Sequence, residues 1–316
     1  VPQSIYTQAD VDQIVAELAA VDSALDARLK ALEGTTPVPI PVPDPPPVPV
    51  VGQFYAASSS WNTKLKSPTF ADVAGLHQGG WWINAGAYGV PVVHTDSSSP
   101  VVTVNAPGSW GWPATKLSFH LPASAAGATG TDGSIVIIDG GTSYDFWQFN
   151  RNGNTANPAA WAKADLVNGS GWGQASPFLA AGIHATGSAL LAGLIVPGEL
   201  KTGINHALAV AVRRDLAGGP TGEAINSDGS NGPIKEGARL AIPATTPVTV
   251  TSTPGKMVWR AMVDYGAFVI DVADGTQAGY LWADPAVDSA DIQVLLDPNW
   301  TAAELAKVAT AVRLVN

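Results

Sequence analysis

Ser134-Ile135-Val136-Ile137-Ile138-Asp139-Gly140-Gly141-Thr142-Ser143-Tyr144-Asp145-Phe146-Trp147-Gln148-Phe149 is the stretch that decides the fold. Two β-rich runs, Ser134–Ile138 and Tyr144–Phe149, flank the turn-forming Asp139-Gly140-Gly141-Thr142, a β-hairpin pattern. Side chains alternate along a strand, so Asp145, Trp147 and Phe149 are expected on one face. The same reading extends outward. Val90–His94, Val101–Val104, His206–Val212, Ala238–Ile242, Val248–Thr251 and Ala267–Val272 are further strand candidates. Helices are fewer. Ala156–Asp165 is expected to be a short one, and Ser188–Leu194 and Gly198–Lys201 helical turns. Lys256–Tyr265 has helical spacing. The last helix is expected to start at a capping box, Thr301 with Glu304, and to bury Leu305, Val308 and Val312. The expected fold is therefore mainly β, a sandwich or jelly-roll-like head with peripheral helices.

Composition divides the chain into three parts: a helix over 1–34, a linker over 35–51 and the β-rich head over 52–316. In the first part Val11, Ile14, Leu18, Val21, Leu25, Arg28 and Leu32 alternate in steps of three and four, a coiled-coil seam broken at Arg28. Leu at the a positions with β-branched d positions leans toward trimers, so a homotrimer through residues 8–33 is expected. Docking of the stripe on another protein, or on the chain's own domain, would bury it equally. The linker holds eight prolines between Pro37 and Pro49, which predicts a semi-rigid polyproline II spacer.

The chain has 316 residues, no cysteine, 13% charged residues and a formal charge of −10. Without cysteine, disulfides and Cys-ligated metals are excluded. Nucleic acid is not an expected partner, because phosphate binding needs basic patches. No apolar run is long enough to span a bilayer, and no secretory leader is recognisable. All 11 tryptophans fall in the head.

No metal and no cofactor is expected. His77, His94, His120, His184 and His206 show no helical ligand spacing, and no phosphate loop, dinucleotide fingerprint or nucleophile elbow is present. His206, after the polar Asn205, is a candidate acid–base residue or a structural histidine. Asp145 beside Tyr144, Trp147 and Gln148 has the carboxylate-plus-indole chemistry of a sugar cleft, so His206 and Asp145 are the candidate catalytic pair. Tyr144, Trp147, Gln148, His184, Asn205, Trp81, Trp82, Trp110 and Trp112 are the candidate glycan-binding residues. The Trp81-Trp82 and Trp110-Gly111-Trp112 runs lie in Gly-rich segments, where they would either stack on sugar or plug the ends of the sheets. Glycoside hydrolysis needs two carboxylates, with Asp139, Asp145, Glu199, Glu223, Asp228 and Glu236 as candidates. A lyase would pair a base, His206 or Tyr144, with Arg239 against a uronate.

Several blocks resemble a group of largely uncharacterised secreted bacterial proteins. Ser59-Ser60-Trp61-Asn62-Thr63, the hairpin at Val136–Gln148, and Glu236-Gly237-Ala238-Arg239-Leu240 follow its landmarks in order. The most specific is Gly203-Ile204-Asn205-His206-Ala207-Leu208, which fits Gly-x-Ile-(Asp/Asn)-His-Ala-Leu. Ile183-His184 and Lys235-Glu236 depart from the group's pattern. The resemblance implies an extracellular, cell-wall or polysaccharide setting and little mechanism. The order of helix, Pro-rich linker and head resembles minor tail proteins of phages that infect actinobacteria. That resemblance implies a virion tail-tip location, host cell-wall or surface polysaccharide as a partner, and contact with other tail proteins. The alternative location is that of a secreted bacterial protein. An envelope-degrading glycoside hydrolase or lyase, and a purely structural tail component, are the alternative functions.

Overall fold

The computed structural model describes residues 52–287 and 298–316, with backbone alone over 298–302, and the single positions 13, 19, 20 and 23. The expected coiled coil, its trimer and the Pro-rich linker lie outside the described residues.

Strands in the first half of the head are β1 (Phe70–Ala71), β2 (Trp81–Asn84), β3 (Val92–His94), β4 (Val101–Ala106) and β5 (Thr115–His120). They continue as β6 (Ile135–Asp139), β7 (Thr142–Trp147), β8 (Asn150–Asn152), β9 (Thr155–Asn157) and β10 (Ala160–Asp165). The second half adds α1 (Glu199–Thr202), β11 (Leu208–Arg213), β12 (Ala217–Pro220), β13 (Ile234–Glu236) and β14 (Arg239–Ala241). It closes with α2 (Thr253–Asp264), β15 (Ala267–Ala273), β16 (Gly279–Trp282), α3 (Pro298–Ala311) and β17 (Arg313–Val315).

The head is mainly β. Its largest sheet has the order β1-β17-β14-β15-β11-β16-β2, and two four-stranded sheets run β10-β7-β6-β3 and β5-β4-β9-β8. The layers follow from two apolar runs. In β11, Leu208, Val210 and Val212 join a core with Val258, Met262, Leu305 and Val308 of α2 and α3, while Ala209 and Ala211 face the other way. In β6, Val136 and Ile138 meet that second face of the large sheet. Ile135 and Ile137 pack instead against Val102, Val104 and Phe119 of the third sheet. Both strands are buried on both faces, which accounts for continuous rather than alternating hydrophobicity. Helices, large sheet, middle sheet and outer sheet thus stack in sequence. Trp61 seals the middle, stacked on Trp172 at 5.0 Å and edge-on to Phe268 at 4.7 Å.

The large sheet is curled. Its two edges, β1 and β2, are joined by residues 72–80 alone, and this link turns at Leu76 and Gln78. In a flat sheet seven strands would hold those edges ~29 Å apart, near the limit of a fully extended link. The link is not extended, so the edges bend toward each other, with His77 Nδ1 2.7 Å from the Ala309 carbonyl of α3.

The sheets are layered, but the pairing is not the all-antiparallel pattern of a jelly roll. β11 with β15, β16 with β2, β3 with β6 and β4 with β9 are parallel. The hairpin is β6–β7 with Gly140-Gly141 at its turn. The helix expected over Ala156–Asp165 is replaced by the end of β9 and by β10. Its alanines favour helix intrinsically, but pairing with β7 and burial of Trp161 override that preference. Ser188–Leu194 forms turns, and the strand expected over Val248–Thr251 is absent. The capping-box expectation is corrected too. Glu304 lies inside α3, and its carboxylate accepts from the backbone of Thr251 and Ser252 and from the Ser252 hydroxyl. It therefore secures the start of α2, not of its own helix.

Candidate functional site

A cleft of about 480 Å³ opens where β7, β15 and the ends of β11 and β16 meet the loops beside them. Trp147, Trp110 and Trp282 supply its aromatic wall, and Asp132, Asp228, Asp271 and Asp274 its carboxylates. His184, Arg214 and Asn226 complete the polar lining.

Local backbone features place these groups. Pairing of β11 with β15 slips by one residue, so Val210 opposes Val269 while Ala211 opposes Asp271. Such a bulge re-aims side chains, and here both Asp271 and Val272 reach the cleft. His184 sits in a tight loop whose Gly187 (φ 76°) donates to the His184 carbonyl at 2.7 Å. A side chain at Gly187 would run into Ile225 as well as strain the backbone. Trp147 ends β7 and is 39% exposed. Its indole donates to the Asp132 carboxylate, which relieves part of the burial that raises the Asp132 pKa.

His184 is only 1% exposed and lies edge-on to Trp282 at 5.3 Å. Its Nδ1 is 3.6 Å from Asp271 Oδ2, beyond a good hydrogen bond, and its Nε2 has no hydrogen-bond partner. Behind Asp228 lies buried Glu236, whose Oε1 accepts from the Gly229 amide at 2.7 Å. Burial, then the hydrogen bond and charge of Asp228, push Glu236 up to about 8. Burial and the nearby Asp271 raise Asp228 as well. Near neutral pH the two carboxyls share a proton.

The structure brings Trp147, His184, Trp110 and the carboxylate candidate Asp228 to the cleft and leaves the other sequence candidates outside its lining. The proposed catalytic pair does not assemble. Asp145 is fully buried, its Oδ2 accepting from the Leu190 amide at 2.6 Å, and a side chain at Gly182 would clash with it. Burial pushes its carboxyl up to about 8. Asp145 therefore sits behind Leu190 of the cleft lining, buried although Trp147, two residues further along β7, is exposed. His206 is elsewhere and sealed: Nε2 is 3.0 Å from Glu199 Oε1 and Nδ1 is 2.8 Å from the Ala207 carbonyl. It ties α1 to the start of β11. Burial lowers its pKa, but the Glu199 charge and hydrogen bond outweigh that and leave it raised.

Tyr144 packs edge-on to Phe119 at 4.9 Å in the outer core. Gln148 is exposed at a left-handed turn (φ 50°), and Asn205 is exposed with its carbonyl held by Gln53. Trp81 is core, 1% exposed, because β2 is a strand of the large sheet, and half-buried Trp82 pairs with Tyr280 there. Trp112 lines a separate pocket of about 180 Å³, with Lys163 4.9 Å from its ring and its indole donating to Ala180. Arg239 donates to the carbonyls of Ser60 and Thr63 over the Phe268 ring, so it is no uronate ligand in the cleft.

Sequence reasoning missed Asp132, Asp271, Asp274, Arg214, Asn226 and Trp282. Asp271 carried a usable mark, a lone carboxylate in the apolar run Ala267–Val272. Among the described residues no three metal-binding side chains converge on an ion site, and no helix is long and apolar enough to cross a membrane. The chain matches no family model, no curated protein and no solved structure.

Proposed function

We propose that the chain is a minor tail protein of a phage infecting actinobacteria, and that its head binds host surface glycan in the cleft. The observation that carries the glycan reading is that the accessible indoles Trp147 and Trp110 line the same cleft as the carboxylates Asp132, Asp228 and Asp271. Indole faces stack on the CH face of a sugar ring, and carboxylates accept its hydroxyls. The helix-and-linker reading adds oligomerisation, which would convert weak single sites into avidity. Titration of the full chain with actinobacterial cell-wall polysaccharide tests this. Saturable binding that Trp147→Ala removes supports it, and no binding at millimolar sugar overturns it.

An enzymatic reading is favoured by one observation. Buried Glu236 stands behind cleft-lining Asp228, and burial together with Asp228 raises its carboxyl, so the pair can carry the proton a general acid gives up. Release of reducing ends from the bound polysaccharide, lost on Asp228→Asn, would support hydrolysis. Binding without release would leave the head a recognition module.

A further inference from the structure

We infer that the cleft selects glycans carrying free amino groups over neutral or uronate glycans, an inference that rests on the glycan reading above. The charge of the wall decides it. Four aspartates line the cleft, and Arg214 is the one cation among the lining residues. That guanidinium is already engaged by Asp274, at 2.5 and 3.1 Å. Asp132, Asp228 and Asp271 make no direct salt bridge to it, and Asp228 and Asp271 share only its more distant charge, so carboxylates outnumber cations along the lining. Carboxylates facing one cleft attract an ammonium and repel another carboxylate.

A second, independent feature marks the same wall as a binding surface. His184 is almost wholly buried, yet its Nε2 has no partner in the protein while Nδ1 lies on the Asp271 side. Buried polar atoms are ordinarily satisfied. Shielded from water, this nitrogen of a lining residue would be completed only by a ligand group that enters beside it. The exposed face of Trp147 suits the same ligand, since an indole attracts a cation as well as the CH face of a ring.

The test uses the full chain at neutral pH and three probes of equal length: a glucosamine oligomer, its N-acetylated form and an oligogalacturonate. The expected order is glucosamine tightest, by about tenfold over the acetylated form, with the uronate weakest. The preference should shrink in high salt. Asp228→Asn and, separately, Asp274→Asn change exposed side chains and so preserve the fold. Asp228→Asn should erase most of the preference, and Asp274→Asn, which frees Arg214, should weaken it further toward the uronate. Equal binding of the two glucosamine forms, or tighter uronate binding, overturns this inference and leaves the glycan reading standing. No binding of any sugar overturns both. Oligolysine binding as tightly as the amino sugar would show a site for cations in general and would also overturn it.

Discussion

The head holds two buried histidine–carboxylate pairs with opposite characters. His206 meets Glu199 at 3.0 Å and the Ala207 carbonyl at 2.8 Å, so both ring nitrogens are satisfied inside the protein. His184 stands 3.6 Å from Asp271, keeps Nε2 unpaired and lines a cleft. Two histidines of similar burial thus have different work. The closed pair holds α1 to the large sheet, and the second leaves His184 Nε2 unpaired in a residue that lines the cleft. Polar satisfaction, rather than burial or neighbouring motif, separates them.

The largest effect expected from breaking this contrast is on stability. His206→Ala should cost about 3–5 kcal/mol, because it leaves Glu199 buried without its partner. Chemical denaturation measures it. The raised His206 pKa fixes the sign with pH. Its contribution is full below the ordinary histidine value and fades as pH rises through the raised one, so wild type and variant should converge in alkali. A variant as stable as wild type in acid would show that the closed pair is not structural.

Next comes binding. Trp147→Ala should weaken glycan affinity by about 2 kcal/mol and also cost about 1–2 kcal/mol of stability, since the ring is only 39% exposed and donates to Asp132. Calorimetry with a melting curve checks both. A smaller effect is expected at Asp145. Its carboxyl is raised from 3.8 to about 8, so the folded state favours the protonated form. That stability is full below 3.8 and declines as pH rises toward about 8. Asp145→Asn keeps the acceptor for the Leu190 amide without the charge. It should gain about 1–2 kcal/mol near pH ~9, with little change in acid. Loss of glycan binding in this variant would place Asp145 at the site after all. The smallest stability change, under about 1 kcal/mol, belongs to His184→Gln, which should still lower sugar affinity several-fold. If it destabilised the head as much as His206→Ala, the distinction between the pairs would fail.

The two pairs also show what was legible in the sequence. The hairpin at 134–149, the strands at 208–213 and 267–273 and the helix at 253–264 follow from local patterning, and they appear where expected. β10 and the Trp81–Asn84 strand were hidden because pairing with distant segments, not local preference, makes them strands. His206 drew attention through its motif, but which partner it meets depends on α1 folding back. Asp271 reaches the cleft only through a bulge, and Asp228 meets Glu236 only because β12 and β13 pair. Trp147 was legible as exposed beside a carboxylate, although the acid it bonds is Asp132 rather than Asp145.

One further consequence lies in the position of β17, hydrogen-bonded between β1 and β14. During synthesis β1 emerges early and must wait for residues 313–315 before it has a neighbour. Until then the large sheet lacks that whole flank, and β14 presents an unpaired edge. Closure depends on contacts remote in sequence, which makes assembly slow and the nascent chain prone to association. Crowded synthesis should therefore be the step at which this head is most easily lost.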